Sequence, residues 1–295
     1  MHTVAIFSKA FYKGYMISVS GIVKKLSSFN TGIYIFRPLY DYLINNGHPD
    51  FNVKGFFTCH EDLPADTDFL ISLGGDGTLL TAVSIVKDSG IPVAGINSGR
   101  LGFLSGISEN SFEELLEKLH DGTAEIEERS LIQWCDPGQD ICKGGNNIAL
   151  NEITIQKSGT PLLTTHVYYN DEFLNSYFSD GLIIATPTGS TAYSLSTGGP
   201  ILTPDTHNFI ISPICAHNLN VRPLVIPDNA ILKLQPESRT KKFIITLDSL
   251  SVTCDTSRSV TVSKAPFNLR LIKPVHGYFA NLRQKLMWGA DTRNL

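Results

Sequence analysis

An apolar run, Phe69, Leu70, Ile71, Ser72 and Leu73, leads straight into Gly74-Gly75-Asp76-Gly77-Thr78 and then into a helix-like stretch over residues 79–87. A run of strand length that breaks at paired glycines and resumes with helical spacing reads as strand, tight turn and helix, the building unit of an open α/β sheet. The turn narrows the chemistry as well as the fold. Glycines at the start of a helix leave backbone N–H groups uncovered, so phosphate oxygens can approach them closely. Asp76 cannot be there to attract an anion. An acid in such a cradle is better read as acting on a hydroxyl, or as holding a cation that screens the charges, which points to phosphoryl transfer. The competing reading is a plain turn in which Asp76 caps the following helix.

A second segment favours the site. Residues 180–201 read DGLIIATPTGSTAYSLSTGGPI: a β-type run leads through Pro187 and Gly189 into small hydroxyl residues and Tyr193, bringing polar groups and an aromatic face together.

Residues 1–98 alternate strand and helix signals, with strands expected at 3–8, 53–57, 69–73 and 92–96 and a helix over 33–46. A helix within 10–31 is also expected, in a segment rich in Ser and Gly. Beyond residue 99 the pattern changes. After a helix at 112–120, short β-rich runs follow at 124–132, 148–156, 164–169, 182–185, 209–212, 230–234, 243–247, 259–262 and 269–272, and turn residues between them suggest a sandwich-like all-β domain. Residues 137–147, rich in glycine and asparagine, read as a surface loop. Residues 278–287 read as an amphipathic helix with Phe279, Leu282 and Leu286 on one face. The expected organisation is therefore an α/β domain with an open, mostly parallel sheet over 1–98, a largely all-β sandwich-like domain over 99–273, and a C-terminal helix over 274–295 packing back on the body.

At 295 residues and 42% hydrophobic content, the chain can bury a core large enough for two domains. A net charge of −4 with scattered Lys and Arg gives no footprint for nucleic acid or anionic lipid. No run approaches the roughly 20 apolar residues that cross a bilayer, so the expectation is a cytoplasmic protein with no membrane partner. Cys59, Cys135, Cys142, Cys215 and Cys254 form an odd, widely spaced set that reads as reduced thiols. The histidines show no HxxxH spacing, and no dedicated transition-metal site is expected.

GGDGT at Gly74, NSGRLGFL at Asn97, the Asn151–Glu152 pair, the block from Asp180 and HNLNVRPLVIP at His217 together resemble the bacterial NAD kinases, in order and over most of the chain. The block from Asp180 is highly specific, whereas related lipid kinases and phosphofructokinases carry loops like GGDGT. The resemblance implies transfer of the γ-phosphoryl group of ATP, accompanied by Mg²⁺ or another divalent cation, to the 2′-hydroxyl of the adenosine ribose of NAD, giving NADP. It implies Asp76 as general base, Gly74, Gly75, Gly77 and Thr78 on the phosphates, and Asn151 and Glu152 on the ribose and adenine side of NAD. It places Asp180 on the nicotinamide side, and Asp76, Gly77, Thr188, Thr191, Ala192, Tyr193, Ser194, Leu195, Ser196 and Asp248 around the dinucleotide.

Phe103 matches an aromatic beside the adenine, although an apolar residue between Leu101 and Leu104 also fits plain core. Arg100 can meet a phosphate or simply be exposed. His217 and Arg222 match family positions, and a buried structural pairing explains them equally well. The resemblance further implies a homodimer or homotetramer whose dinucleotide pocket borrows groups from a neighbouring copy.

Two departures stand out. Phe178 lies where many members carry arginine, and Leu250 where many carry glutamine, so the resemblance does not carry over the two polar contacts those residues make to the dinucleotide. Two other functions compete: a lipid or sugar kinase sharing the GGDGT loop, which predicts an apolar substrate groove, and a non-catalytic nicotinamide-nucleotide sensor. An intact Asp76 opposes the sensor, since a pure binder gains nothing from an acid beside phosphates.

Overall fold

The structure, a computed structural model, describes residues 2–9, 13–48, 51–97, 102–108, 111–135, 147–274 and 277–287. Arg100, Cys142 and nearly all of the 137–147 loop lie outside them. The chain divides into two compact units: residues 1–127 with 270–295, and residues 128–269. These divisions fall at 127/128 and 269/270, where the sequence pattern suggested 98/99 and 273/274.

In the first unit the elements are β1 (Thr3–Phe7), α1 (Lys13–Ser28), β2 (Gly32–Phe36), α2 (Arg37–Asn45), β3 (Gly55–Phe57), β4 (Phe69–Leu73), α3 (Asp76–Val86), β5 (Val93–Asn97), β6 (Ile107–Ser108) and α4 (Phe112–His120). The strands pair in parallel in the order β3-β2-β1-β4-β5, with β6 and Leu271 also parallel to β5. β1, β4 and β5 are buried along their whole length. That explains why they read as continuous apolar runs instead of alternating ones.

Helix α4 covers the residues expected for it. Glu113 and Glu114 lie in its first turn and Lys118 and His120 in its last, matching the helix dipole, while Phe112, Leu115 and Leu116 join the core. The helix expected over 33–46 is instead a strand followed by a helix. Ile33 and Ile35 point into the core from β2, and Pro38, with its fixed φ and no N–H, opens α2 in the first turn. Apolar residues at 33, 36, 39, 40, 43 and 44 mimic helical spacing because the two elements abut. In the C-terminal helix, Tyr278–Leu286, the buried residues are Asn281 and Leu282, whereas Phe279 is 58% exposed, so the single apolar face is corrected.

The second unit contains most of β7 (Ile126–Cys135) and β18 (Val260–Ile272), and between them β8 (Ile148–Ala149), β9 (Glu152–Lys157), β10 (Leu163–Tyr169), β11 (Glu172–Ser179), β12 (Gly181–Ala185), β13 (Asn208–Ile214), β14 (Leu224–Pro227), β15 (Leu232–Glu237), β16 (Lys242–Leu247) and β17 (Leu250–Asp255). One antiparallel sheet runs β14-β13-β12-β9-β16-β17, and a second layer runs β11-β10-β15-β18. Phe209, Phe243, Ile155 and Leu182 from the first layer and Trp134, Val167, Leu234 and Val262 from the second share one core, as a sandwich requires. β12 is buried on both faces. Leu182 and Ile184 face that core, while Ile183 and Ala185 pack with Ile210, Ile214 and Leu202 on the other side.

The expected runs at 259–262 and 269–272 are the two ends of β18. The expected run 148–156 is broken at Leu150 and Asn151 between β8 and β9. β11 shows no apolar run in the sequence because Glu172, Asn175, Ser176 and Ser179 interrupt its apolar residues. It is joined to β10 by a tight hairpin in which Asn170 and Asp171 both have positive φ, 47° and 67°.

Candidate active site

In the first unit, β4 ends at Leu73 and the chain turns through Gly74 and Gly75 into α3. Gly74 has φ +150°, and a Cβ there would lie 2.2 Å from Oγ1 of Thr78, so no other residue fits without moving the helix start. Gly75 and Gly77 are exposed, and a Cβ on either would meet nothing within 4 Å. The start of α3 therefore presents an open backbone surface. Thr78 is buried, and its side chain closes the turn from inside.

Asp76 is half-buried and tightly held. Its Oδ1 accepts from Leu104 N at 3.1 Å, Ser105 N at 2.9 Å and Ser105 Oγ at 2.8 Å, while Oδ2 accepts from Phe103 N at 2.8 Å. The two carboxylate oxygens offer about four lone-pair positions between them. Oδ1 takes three donors and Oδ2 one, so Oδ2 keeps an unfilled position among the described residues. A Cβ on Gly102 would fall 1.8 Å from Oδ1, so the close approach of carboxylate and loop depends on that glycine. Phe103 is half-buried beside this clamp, with Lys285 Nζ 5.4 Å from its ring centre. Ser105, which donates twice to Asp76, was missed by the sequence reading; a serine directly after LGFL was the available signal.

In the second unit, Asn151 lies in the break between β8 and β9, and Glu152 is the first residue of β9. The carboxylate of Asp248, in the tight β16–β17 turn, accepts from Leu150 N at 2.8 Å (Oδ2) and from Asn151 N at 2.9 Å and Glu152 N at 3.1 Å (Oδ1). Asp248 N donates back to Glu152 O at 3.1 Å. Asp248 has φ +48°, a left-handed conformation that Asp and Asn tolerate better than most residues. Enclosure of its carboxyl raises its pKa to about 6, against the lowering effect of the three amides.

Glu152 is 9% exposed. Burial first, and the Asp248 charge second, push its carboxyl up to about 8, opposed by the Tyr193 N–H bonded to it. Its Oε2 is buried with no hydrogen-bond partner among the described residues. Such a group is costly and calls for a ligand or a functional role.

The 186–193 turn is built onto Asn151. Thr186 N donates to Asn151 O at 2.8 Å, Thr186 Oγ1 donates to Leu150 O, and a Cβ on Gly189 would lie 2.1 Å from Asn151 O. Tyr193 is 39% exposed, Thr191, Ala192 and Leu195 are half-buried, and Ser196 is exposed. Thr188 and Ser194 face inward: Thr188 Oγ1 accepts from the buried Arg129 at 3.3 Å, and Ser194 Oγ lies where a Cβ on Gly199 would be 2.3 Å away. Arg129 was not singled out in the sequence. Its signal was a cation between Glu127 and Glu128 on one side and the apolar Leu131 and Ile132 on the other.

Asp180 lies apart from this group. It sits at the start of β12 and the Thr186 turn at its end, a strand length of about 17 Å. Lys157, at the matching end of β9, holds Asp180 Oδ1 at 2.6 Å. Lys157 also escaped the sequence reading, since only strand register places it beside Asp180. Phe178 is 44% exposed, and Leu250, beside the Asp248 turn, is 43% exposed. His217 and Arg222 are both exposed, and Arg222 Nη1 binds Leu219 O at 2.6 Å and Val221 O at 2.9 Å in its own turn, so the buried pairing is corrected.

The family model for the ATP-NAD kinase N-terminal domain matches residues 23–124, and that for the ATP-NAD kinase C-terminal domain matches residues 150–274. The chain belongs to the ATP-NAD kinase family. Among its relatives is the NAD kinase of Flavobacterium psychrophilum, 41% identical over 298 residues and covering 99% of each chain. The NAD kinase of Porphyromonas gingivalis is 37% identical over 297 residues, covering 99% of this chain and 100% of that one. Of solved structures, an Archaeoglobus fulgidus NAD kinase in complex with ATP superposes with a TM-score of 0.75 at 25% identity, covering 97% of this chain and 99% of that one. Yeast NADH kinase complexed with NADH shares the fold, with a TM-score of 0.85 at 22% identity over 100% of this chain and 90% of that one. The α/β unit followed by an antiparallel β unit is thus the fold of the ATP-NAD kinase family.

Proposed function

We propose that the chain is an NAD kinase, transferring the γ-phosphoryl group of ATP to the 2′-hydroxyl of the adenosine ribose of NAD to form NADP. Asp76 carries this reading: a carboxylate immobilised by four donors, one lone pair left open on Oδ2, at the exposed glycine start of a helix. The ribose oxygen forms its bond to phosphorus as the bond from phosphorus to the ADP oxygen breaks, and the hydroxyl proton passes to Oδ2 of Asp76. Products are NADP, ADP and a proton later released to solvent. The fixed donors at residues 103–105 orient the carboxylate before the substrate arrives, so no reorganisation accompanies the transfer.

The amides around Gly75 and Gly77 face the phosphates, and Thr78 supports the turn beneath them. Magnesium is read as part of the ATP substrate. Asn151 and Glu152 take the ribose hydroxyls, the buried Oε2 of Glu152 supplying an acceptor that has no partner among the described residues. Tyr193 offers a partly exposed ring for stacking, with Thr191, Ala192 and Ser196 beside it.

The reading includes a cytoplasmic homodimer or homotetramer. Asp180 stands a strand length from the Glu152 group; Phe178, 44% exposed, lies two residues before it and accepts at its carbonyl from His217 N, and Leu219, 86% exposed, follows two residues after His217. Both features suit a second copy that receives Asp180 at its own dinucleotide. No helix among the described residues is long and apolar enough to cross a membrane.

The deciding assay incubates purified protein with NAD, ATP and Mg²⁺ and reads NADP with a coupled dehydrogenase. Asp76→Asn should retain NAD binding while kcat falls by about 10² or more, as expected for loss of a general base. Normal turnover by that variant removes Asp76 as proton acceptor, and wild-type protein that forms no NADP with any donor is a sensor.

A further inference from the structure

Asp248 is the acidic side chain of the second unit's site whose two oxygens both bond the protein's own backbone. It accepts from three successive amides, residues 150–152, and its own amide donates back to Glu152 O at 3.1 Å. Leu150 and Asn151 form the break between β8 and β9, and Glu152 is the first residue of β9. Without Asp248, three consecutive N–H groups would lose these acceptors, and their burial unpaired would cost more than an ordinary hydrogen bond contributes. The same segment carries Asn151, whose carbonyl anchors the 186–193 turn, and Glu152, whose carboxyl takes the Tyr193 N–H. One carboxylate therefore sets the backbone from which the ribose-facing groups project.

Building on the NAD kinase reading, we propose that Asp248 is a positioning residue for the acceptor: seated on the amides of residues 150–152, it fixes Asn151 and Glu152 in the pose that grips the dinucleotide ribose. The carboxyl of Asp248 is governed by its own burial, which raises its pKa, and by the three amides bonded to it, which lower it. Its charge in turn opposes ionisation of Glu152, so Asp248 positions that carboxyl and also governs the pH at which it becomes a full acceptor for ribose hydroxyls.

The left-handed φ at Asp248 supplies clean variants. Asp248→Asn keeps a residue suited to the turn, retains one acceptor oxygen and removes the charge. Asp248→Gly frees the turn of strain and removes all three bonds. Wild-type NADP formation is measured first, and its absence would defeat the NAD kinase reading without touching Asp248. With an active wild type, Asp248→Asn should raise KM for NAD about 3- to 10-fold and Asp248→Gly by about 10- to 100-fold, as one or three charge-assisted bonds are lost. KM for ATP should stay within about twofold of the wild-type value in both. The pH limb of kcat/KM for NAD should also move toward acid in Asp248→Asn, as Glu152 loses its like-charged neighbour. Asp248→Asn alone decides the matter if Asp248→Gly does not fold. An unchanged KM for NAD, a parallel rise in both KM values, or an unmoved pH limb in Asp248→Asn would each overturn the proposal.

Discussion

Replacing Glu152 by glutamine should stabilise the protein increasingly as pH rises, and the size follows from burial. Folding encloses this carboxyl, 9% exposed, beside Asp248 and raises it from 4.5 to about 8. The folded protein thus holds a proton that the unfolded chain releases near pH 4.5. Its contribution to stability is complete below that pH and is lost as pH climbs toward 8. At about 1.4 kcal/mol per unit, the wild type loses about 3 kcal/mol between pH 4.5 and pH 7 through this group, and glutamine, uncharged throughout, loses none. Asp248, raised to about 6, acts with the same sign in both proteins and largely cancels in the comparison. The assay is urea unfolding of the full chain at pH 5, 6, 7 and 8, followed by tryptophan fluorescence. The chain has two tryptophans, and in a Trp288→Phe background the signal comes from Trp134, buried in the second unit's core. The difference between variant and wild type should grow by about 1.4 kcal/mol per pH unit and level off above pH 8. Parallel curves from pH 5 to 8 would show Glu152 ionised inside the fold and refute burial as the governing effect.

Gly102→Ala should lower kcat by about 10² through displacement of the Asp76 carboxylate, with about 1–3 kcal/mol lost in stability, because its Cβ would fall 1.8 Å from Oδ1. Steady-state kinetics beside urea unfolding checks both, and full activity would mean that the clamp does not orient the acid. Light scattering should give a mass of two or four chains, and Leu219→Asp, at a side chain 86% exposed, should shift it toward one. A fully active monomer would remove the second copy from the reading.

The α/β unit was legible in the sequence because β1, β4 and β5 are buried along their whole length and the turn after β4 is marked by glycine: β4 has the expected bounds, and α3 starts three residues before the expected stretch. The error at 33–46 arose where a strand and a helix abut without a breaker, so two apolar patterns merged into one period. Edge and outward-facing strands such as β11, β14 and β17 were missed. Their register is set by pairing partners far along the chain, which a local window does not contain. The chemical residues followed the same division. Asp76 and Glu152 were visible as types within motifs, whereas Ser105, Lys157 and Arg129 earn their places through approaches across the fold. Asp248 was visible as a position, but that its oxygens turn to the backbone of residues 150–152 emerges only once the β16–β17 turn is folded.

The first unit is assembled from two separated pieces of chain, and this bears on how the molecule is made. A ribosome delivers residues from the N-terminus, so everything in the second unit is present once Leu269 has emerged. At that moment the first unit still lacks Leu271, the parallel partner of Val93, and the helix that supplies the buried Asn281 and Leu282. N-terminal segments generally fold first during synthesis. Here the earliest residues to appear belong to the part that must wait for the last.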